Sequence, residues 1–126
     1  MRSLKVLVAD DNPVNQKIMI GLLRNLGHTG VVVSDGEKVL RCLAQLSFDA
    51  ILLDVQMPIM DGLKALAAIR AGEKSGKPHV PVIMVTANDL PEDRLRFQRK
   101  GADGYVSKPV GQLALQQELA RVLESF

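Results

Sequence analysis

Short apolar runs alternate with helix-like segments five times along the 126 residues of this chain. The central runs, such as Ala50–Leu53, are apolar at every position, which is typical of strands covered on both faces. Between the runs, apolar residues recur at helical spacing, as Leu22, Leu23 and Leu26 do after Pro13. Five strand–helix units with short connections predict an α/β fold. We expect a five-stranded parallel sheet, doubly wound with five helices through right-handed crossovers.

The element boundaries follow from turn residues and helix-capping signals. The predicted strands are Leu4–Ala9, Val31–Val33, Ala50–Leu53, Val82–Val85 and Tyr105–Ser107. The predicted helices run from Pro13 until Gly27, from a cap at Ser34 or Asp35, after the Met57–Gly62 loop, over Pro91–Lys100 and over Leu113–Leu123. The third helix is expected to fray at Gly72, followed by a polar surface loop as far as Pro81. The fourth helix has few apolar anchors, Leu95 and Phe97, which fits a mobile element.

Composition restricts the class of protein. The length fits one domain that spans residues 1–126. A net charge of +2, without a basic run, is too small to favour nucleic-acid binding. The single cysteine, Cys42, excludes an intramolecular disulfide and a multi-cysteine zinc site. No signal peptide or membrane-spanning stretch is visible, so we expect a cytoplasmic protein or domain that makes no membrane contact.

Chemically useful side chains follow four of the five predicted strands. Asp10 and Asp11 follow the first strand, Asp54 the third, Thr86 the fourth and Lys108 the fifth. Because ligands of open α/β sheets bind at the carboxyl ends of the strands, we expect these side chains to share one pocket. Three carboxylates in one pocket repel unless a cation lies among them, and hard oxygen ligands favour Mg²⁺. A carboxylate there could attack a phosphoryl group whose charge Mg²⁺ and a lysine neutralise.

Four motifs at these strand ends carry a family resemblance. They are Val8-Ala9-Asp10-Asp11-Asn12, Leu53-Asp54-Val55-Gln56-Met57-Pro58, Val85-Thr86-Ala87 and Ser107-Lys108-Pro109. In this order and spacing they resemble the motifs of response-regulator receiver (CheY-like) domains over essentially the whole chain. The segments Asp11–Gln16 and Gln56–Gly62 are most similar to the receivers of hybrid histidine kinases. The resemblance implies a flavodoxin-like sheet with the strand order 2-1-3-4-5.

The resemblance implies that the acids and the lysine serve phosphoryl transfer. Asp54 would be the phosphoacceptor, and Asp10, Asp11 and Asp54 would hold Mg²⁺, with Mn²⁺ as an alternative ion. Gln56 would add its backbone carbonyl as a further ligand to the metal. Lys108 would pair with the phosphoryl group.

The resemblance also implies a conformational switch. Thr86 would supply a hydroxyl that turns toward the phosphoryl group, and Tyr105 would be its aromatic partner. The peptide bond before Pro109 would be cis, which helps to direct the preceding lysine. Gln56 and Asn88, two residues beyond Asp54 and Thr86, resemble positions that tune the phosphoryl lifetime.

The implied function is that of a phosphoacceptor in two-component and phosphorelay signalling, not an enzyme with a separate substrate. The domain would catalyse its own phosphorylation, from a phosphohistidine of a histidine kinase or a histidine phosphotransfer domain, and its own dephosphorylation. Phosphorylation would change the surface of the fourth helix, fifth strand and fifth helix. We expect a monomer or a weak phosphorylation-dependent dimer, with no nucleic-acid contact. A longer chain that contained this segment would be a hybrid histidine kinase.

Other interpretations rest on single motifs. Each acid alone fits a turn or a helix cap, and Lys108 alone fits a solvated surface charge. A phosphatase with an aspartyl nucleophile commonly has a second acid two residues later, where this chain has Gln56. A pure docking module with vestigial acids would not respond to Mg²⁺. The glycine-containing stretch Gly72–Lys77 lacks the spacing of a P-loop, and His28 and His79 are expected to be solvated turn residues.

Overall fold

The computed structural model describes residues 2–87 and 90–124, which form a five-stranded sheet with five helices. The strands are β1 (Lys5–Ala9), β2 (Thr29–Val33), β3 (Ala50–Asp54), β4 (Val82–Thr86) and β5 (Gly104–Ser107). The helices are α1 (Pro13–Asn25), α2 (Gly36–Gln45), α3 (Gly62–Lys74), α4 (Pro91–Arg99) and α5 (Gln112–Glu124). Among these residues, no helix combines the length and apolar character needed to cross a membrane.

The sheet is parallel throughout, with the strand order β2-β1-β3-β4-β5. The predicted fold class and strand order are therefore confirmed. The register pairs Ala9 with Leu53 and Thr86 with Ser107. Because all strands run the same way, the residues that end β1, β3, β4 and β5 meet at one edge of the sheet.

Alternate residues of each strand pack on opposite faces of the sheet, and each face has its own core. On one face, Val6 and Val8 of β1 pack in a cluster with buried residues of α1 and α5 (Met19, Leu23, Leu115, Leu119 and Val122). On the other face, Leu7 and Ala9 join buried residues of α2, α3 and α4 (Val39, Ala65, Leu66, Ile69 and Phe97). Apolar burial on both faces holds the strand ends in fixed positions, which a site built from several strands requires.

Two predictions about the helices differ from the structure. Helix α3 continues through Gly72 as far as Lys74, so the predicted fraying at that glycine is wrong and the loop before β4 is shorter. Arg70, in the last turns of α3, is bonded to groups beyond the helix, which helps to hold this end in place. In α4, Leu95 is 52% exposed, so Phe97 is the helix's buried apolar anchor and Leu95 is not one.

Arg70 connects α3 to the amino-end loops of β4 and β5. Its guanidinium donates to the backbone oxygens of Gly101 at 2.9 Å and Val80 at 2.8 Å. The same group pairs with the carboxylates of Glu73 and Asp103, both at 2.7 Å. These side chains are mostly buried, so the pairing satisfies charges that would otherwise be costly to desolvate.

Both histidines have specific partners, contrary to the expectation that they are merely solvated. The two ring nitrogens of His79 lie 3.0 Å from Glu73 and 3.1 Å from Asp103, beside the Arg70 guanidinium. His28 is only 7% exposed, and its Nδ1 accepts a hydrogen bond from the backbone N–H of Leu4 at 3.0 Å. The contacts of His28 with Leu4 and of His79 with Asp103 each join residues 24 positions apart, so turn chemistry alone does not indicate them.

Candidate functional site

A polar cleft lies at the carboxyl edge of the sheet, where the predicted site residues meet. Its lining includes Asp11, Asn12, Asn15, Asp54, Gln56, Thr86 and Lys108. Asp10 lies next to it at the end of β1, and its carboxylate contacts the Lys108 ammonium. The side chains that the sequence placed at four separate strand ends are thus brought together in one site.

Three carboxylates form the acidic part of the cleft. One carboxylate oxygen from each of Asp10, Asp11 and Asp54 lies within 4.8 Å of the others. Asp10 and Asp54 are 3% and 6% exposed, whereas Asp11 is exposed to solvent. Asp10 is oriented by the backbone N–H of Asn12, which donates to its Oδ1 at 2.9 Å. The amide of Gln16 donates to the backbone oxygen of Asp10 at 2.6 Å, and this fixes the end of β1 against α1.

Lys108 supplies the cationic part of the cleft. Its Nζ lies 3.1 Å from Oδ2 of Asp54 and 3.5 Å from Oδ2 of Asp10. The backbone N–H of Lys108 donates to the backbone oxygen of Thr86 at 2.8 Å, which extends the β4–β5 pairing beyond β5. The peptide bond between Lys108 and Pro109 is cis. One ammonium therefore compensates two buried carboxylates from neighbouring strands.

The buried charges shift the pKa values of the central pair. Burial raises the pKa of Asp54 above its usual range, and the nearby Asp10 carboxylate acts in the same direction, while Lys108 opposes both. For Lys108, burial favours the neutral amine, but contact with Asp54 and Asp10 outweighs it and raises the pKa of the ammonium. The lysine therefore stays protonated, and its positive charge partly balances the negative charge of the Asp54 carboxylate.

The donor set of the cleft fits a divalent cation. Hard cations such as Mg²⁺ prefer oxygen ligands, and the cleft offers three carboxylates whose oxygens converge. The one basic side chain that contacts Asp10 and Asp54 among the described residues, Lys108, leaves the acids in excess by two charges. Asp11, which is exposed, gives an ion access from solvent. These residues can hold a metal ion at the position that the sequence predicted.

The loop between β3 and α3 approaches Asp54 closely because Gly62 has no side chain. A Cβ atom at this position would collide with the backbone oxygen of Asp54 and lie 2.9 Å from its carbonyl carbon. The backbone N–H of Gly62 donates to the oxygen of Val55 at 2.9 Å. Gly62 therefore lets α3 start directly against the residue that ends β3.

Within this loop, Ile59 has a strained backbone. Its φ is 67°, and the backbone N–H of Met60 donates to the oxygen of Pro58 at 2.7 Å, the pattern of a classic γ-turn. A β-branched residue rarely adopts this conformation, and Ile59 is 77% exposed, so its side chain gains little from packing to offset the strain. Strain of this kind is concentrated near functional sites.

Thr86 and Tyr105 lie beside each other on adjacent strands. Thr86 ends β4 and is 4% exposed, and Tyr105 in β5 pairs with Met84, two residues before Thr86 on the same face. The guanidinium of Arg94 lies 4.7 Å from the centre of the Tyr105 ring. Asn88, which the sequence singled out as a lifetime position, lies outside the described residues.

Asn12 and Asn15 have roles in the site that the sequence analysis does not assign to them. Asn12 belongs to the motif that follows β1, and its side chain also caps α1 by accepting hydrogen bonds from the N–H groups of Val14 and Asn15. Asn15 lines the cleft, although nothing in its helical pattern distinguishes it. For Asn12, the helix-start signal just before Pro13 could have indicated the cap.

A family model and individual known proteins both match most of this chain. The family model described as response regulator receiver domain matches residues 6–120. Among curated proteins, the chain is 40% identical over 111 residues to hybrid signal transduction histidine kinase I of Dictyostelium discoideum, covering 84% of this chain and 6% of that protein. It is 36% identical over 117 residues to the sensor protein GacS of Pseudomonas syringae pv. syringae, covering 92% of this chain and 13% of that protein. The chain thus spans only a small part of these kinases.

Solved structures also match along nearly the whole chain. The receiver domain of a sensor histidine kinase from Pseudomonas aeruginosa PAO1, which has a magnesium ion coordinated in its active-site cleft, superposes with a TM-score of 0.85. It is 36% identical, and the match covers 98% of this chain and 99% of that one. The chemotaxis response regulator CheY4 of Vibrio cholerae gives a TM-score of 0.86 at 30% identity, covering 97% and 100% of the two chains.

Proposed function

The chain belongs to the response regulator receiver domain family of two-component and phosphorelay systems, and from this premise we propose that Asp54 accepts a phosphoryl group in a Mg²⁺-dependent transfer. The observation that carries the proposal is the cleft itself. One ammonium and three converging carboxylates meet at a single sheet edge, with Asp54 in contact with the ammonium. This arrangement provides a nucleophile, a cation to balance charge and oxygen ligands for a metal.

The chemistry follows from the groups present. A carboxylate oxygen of Asp54 attacks the phosphorus of a phosphohistidine, a P–O bond forms and the P–N bond breaks. The imidazole leaves with the electron pair of that bond and takes up a proton. Lys108, which contacts Asp54 Oδ2 at 3.1 Å, stays within reach of the phosphoryl oxygens and balances their charge. Water attack on the acyl phosphate reverses the modification, so the domain catalyses both reactions on itself.

The acids divide between two roles. Asp10, Asp11, Asp54 and the backbone carbonyl of Gln56 would hold the metal ion. When bound, Mg²⁺ neutralises charge that builds up on the phosphoryl oxygens. The chain's own contribution is to fix Asp10 through the Asn12 N–H and to keep Asp54 largely out of water. Mn²⁺, another oxygen-preferring ion, is the alternative metal.

The phosphodonor is a histidine of a kinase or of a phosphotransfer domain. This part of the proposal rests on the similarity to receivers of hybrid histidine kinases, of which this chain spans only a fraction. We propose that the segment forms one domain, over residues 1–126, of a hybrid histidine kinase and that it works in the cytoplasm. The domain is a monomer or a weak phosphorylation-dependent dimer and contacts neither nucleic acid nor membrane.

Phosphorylation is proposed to act through Thr86 and Tyr105. The Thr86 hydroxyl turns toward the phosphoryl oxygens and vacates space, into which the Tyr105 ring moves. Their position on one face of β4 and β5 supports this pairing. The surface of α4, β5 and α5 changes as a result. The phosphoryl group shifts this equilibrium only as far as it interacts more favourably with one state than with the other.

Labelling with acetyl phosphate tests the proposal. Wild-type protein incubated with acetyl phosphate and Mg²⁺ should gain the mass of one phosphoryl group, and peptide mapping should place it on Asp54. The variant Asp54→Asn should show no labelling, whereas Asp93→Asn on α4, the matched control, should label like wild type. Labelling that persists in Asp54→Asn would refute the assignment. Sustained turnover of a phosphomonoester would instead support a phosphatase.

A further inference from the structure

Tyr105 lies at the junction of α4, β5 and α5, and its ring is covered by an arginine from α4. The Cζ atom of Arg94 lies 4.7 Å from the ring centre, within the range of a cation–π contact. Tyr105 is half-buried and lines two outer clefts, one shared with Arg94, Glu118 and Arg121 and the other with Arg121. Tyr105 does not belong to the described residues that line the cleft of Asp54 and Lys108. The ring therefore occupies an outer position.

The backbone of Tyr105 is held independently of its ring. Its N–H donates to Oε2 of Glu118 in α5 at 2.8 Å. Arg121 fixes that carboxylate at 2.7 Å and also donates to the backbone oxygen of Asp103 at 2.9 Å. Because these contacts involve the main chain, the ring can rotate about its side-chain bonds while β5 stays in place. The ring packs against the core cluster on the α2, α3 and α4 face, and Arg94 adds a contact that opposes such a rotation directly.

We propose that Arg94 is a positioning residue that holds the Tyr105 ring in the outer position of the unphosphorylated protein. Inward rotation of the ring then requires the guanidinium and the ring to separate, so movement of α4 and rotation of Tyr105 occur together. The consequence for signalling rests on the proposed function of Asp54, but the resting contact does not. A cation–π contact at an exposed site changes a conformational equilibrium by about two- to fivefold.

The position of the Tyr105 ring can be followed by a spectroscopic label at that residue alone. Tyr105 is the single tyrosine of the chain, so 3-fluorotyrosine incorporation gives one ¹⁹F resonance that reports on this ring alone. Two reference spectra are recorded, one of the resting wild type and one after labelling with acetyl phosphate and Mg²⁺. The resting variant Arg94→Met should shift toward the labelled reference, with a two- to fivefold larger inward population. Arg99→Met, an exposed arginine of the same helix, is the matched control and should leave the resonance unchanged.

Two outcomes would overturn the inference. One is a resting Arg94→Met spectrum that superposes on that of wild type, and the other is an equal shift in Arg99→Met. A double-mutant cycle with Arg94→Met and Tyr105→Leu, read by urea unfolding without phosphodonor, isolates this pair from the other contacts of Arg94. Non-additive effects support the contact, and additive effects refute it. If the wild type does not label at all, the proposed function fails, while the cycle still decides whether Arg94 holds Tyr105.

Discussion

The Nζ atom of Lys108 lies 3.1 Å from Oδ2 of Asp54, although Asp54 ends β3 and Lys108 follows β5, two strands that are not neighbours in the sheet. Strand β4, which ends in Thr86, lies between them. The backbone N–H of Lys108 donates to the backbone oxygen of Thr86, and the lysine side chain extends past the end of that strand to Asp54. The distance between the proposed nucleophile, Asp54, and the Lys108 ammonium is therefore set by three strands of one rigid sheet.

The first prediction concerns this ion pair. In Lys108→Met, acetyl phosphate should label Asp54 about 10²- to 10³-fold more slowly, the cost found when one preorganised charge-stabilising donor is removed from a transition state. Initial rates from intact-protein mass spectrometry provide the measurement. Lys100→Met, which removes an exposed lysine at the end of α4, serves as the control and should keep the wild-type rate. Equal rates in the two variants would contradict the role given to Lys108.

The second prediction is that Mg²⁺ stabilises the folded protein through the acid cluster. An ion that binds only the native state at 100 times its Kd adds about 2.7 kcal/mol to the free energy of unfolding. Asp11→Ala should reduce this increment and raise the metal-free stability by about 1 kcal/mol, because it removes repulsion from Asp10 and Asp54. Urea unfolding with EDTA and with Mg²⁺ gives both values. An unchanged Mg²⁺ response in Asp11→Ala would exclude it as a ligand.

The third prediction compares two glycines. Gly62→Ala should lower the free energy of unfolding by about 1–3 kcal/mol, since the added Cβ meets the Asp54 backbone, and should slow labelling. Gly21→Ala in α1 meets no atom within 4 Å and should stabilise the protein by about 0.5–1 kcal/mol. Denaturation curves for the pair test the difference. Similar free energies of unfolding for the two variants would show that the close contact between Gly62 and the Asp54 backbone does not restrict the residue at position 62.

The fourth prediction is a pH dependence of stability from His28. Burial lowers the pKa of this imidazole below 6.5, the charge of the amino terminus adds to the effect and Asp49 opposes it. Below pH 6.5 the unfolded chain therefore binds the proton more readily than the folded one. This stabilising contribution is complete above pH 6.5 and declines as the pH falls toward the folded-state pKa.

The variants of His28 separate titration from hydrogen bonding. His28→Asn offers a side-chain oxygen to the Leu4 N–H without titrating, so its unfolding free energy should fall less than that of wild type between pH 7 and pH 5. His28→Ala leaves that N–H unpaired and should cost about 1–3 kcal/mol at pH 8. Parallel pH profiles for wild type and His28→Asn would show that His28 does not titrate in this range.

Much of the site was predictable because its position follows from local signals and one topological rule. Apolar runs locate the strands, and the carboxyl ends of parallel strands meet at one edge of the sheet. The sequence alone therefore predicts that Asp54, Thr86 and Lys108 lie close together. The contacts of Arg70 were not predictable. Its partners Gly101 and Asp103 are more than thirty positions away, and no periodicity encodes a pairing between a helix and a distant loop.

The strain at Ile59 was also beyond prediction from sequence. A β-branched residue favours extended backbone, so sequence argues against the positive φ that the loop imposes there. The close approach of Gly62 is similar, because a glycine in a turn does not reveal which atom occupies the space of its missing side chain. Local preference fails where tertiary contacts decide the backbone.

The distribution of the site over β1, β3, β4 and β5 bears on biosynthesis. A chain emerging from the ribosome carries all three acids once residue 54 has been made, yet it lacks the amine until residue 108 and the sheet until β5 is in place. Truncated copies would hold uncompensated acids and would not take a phosphoryl group from the proposed phosphohistidine donor. Phosphorylation of Asp54 would then occur only in copies of the domain whose synthesis and folding are complete.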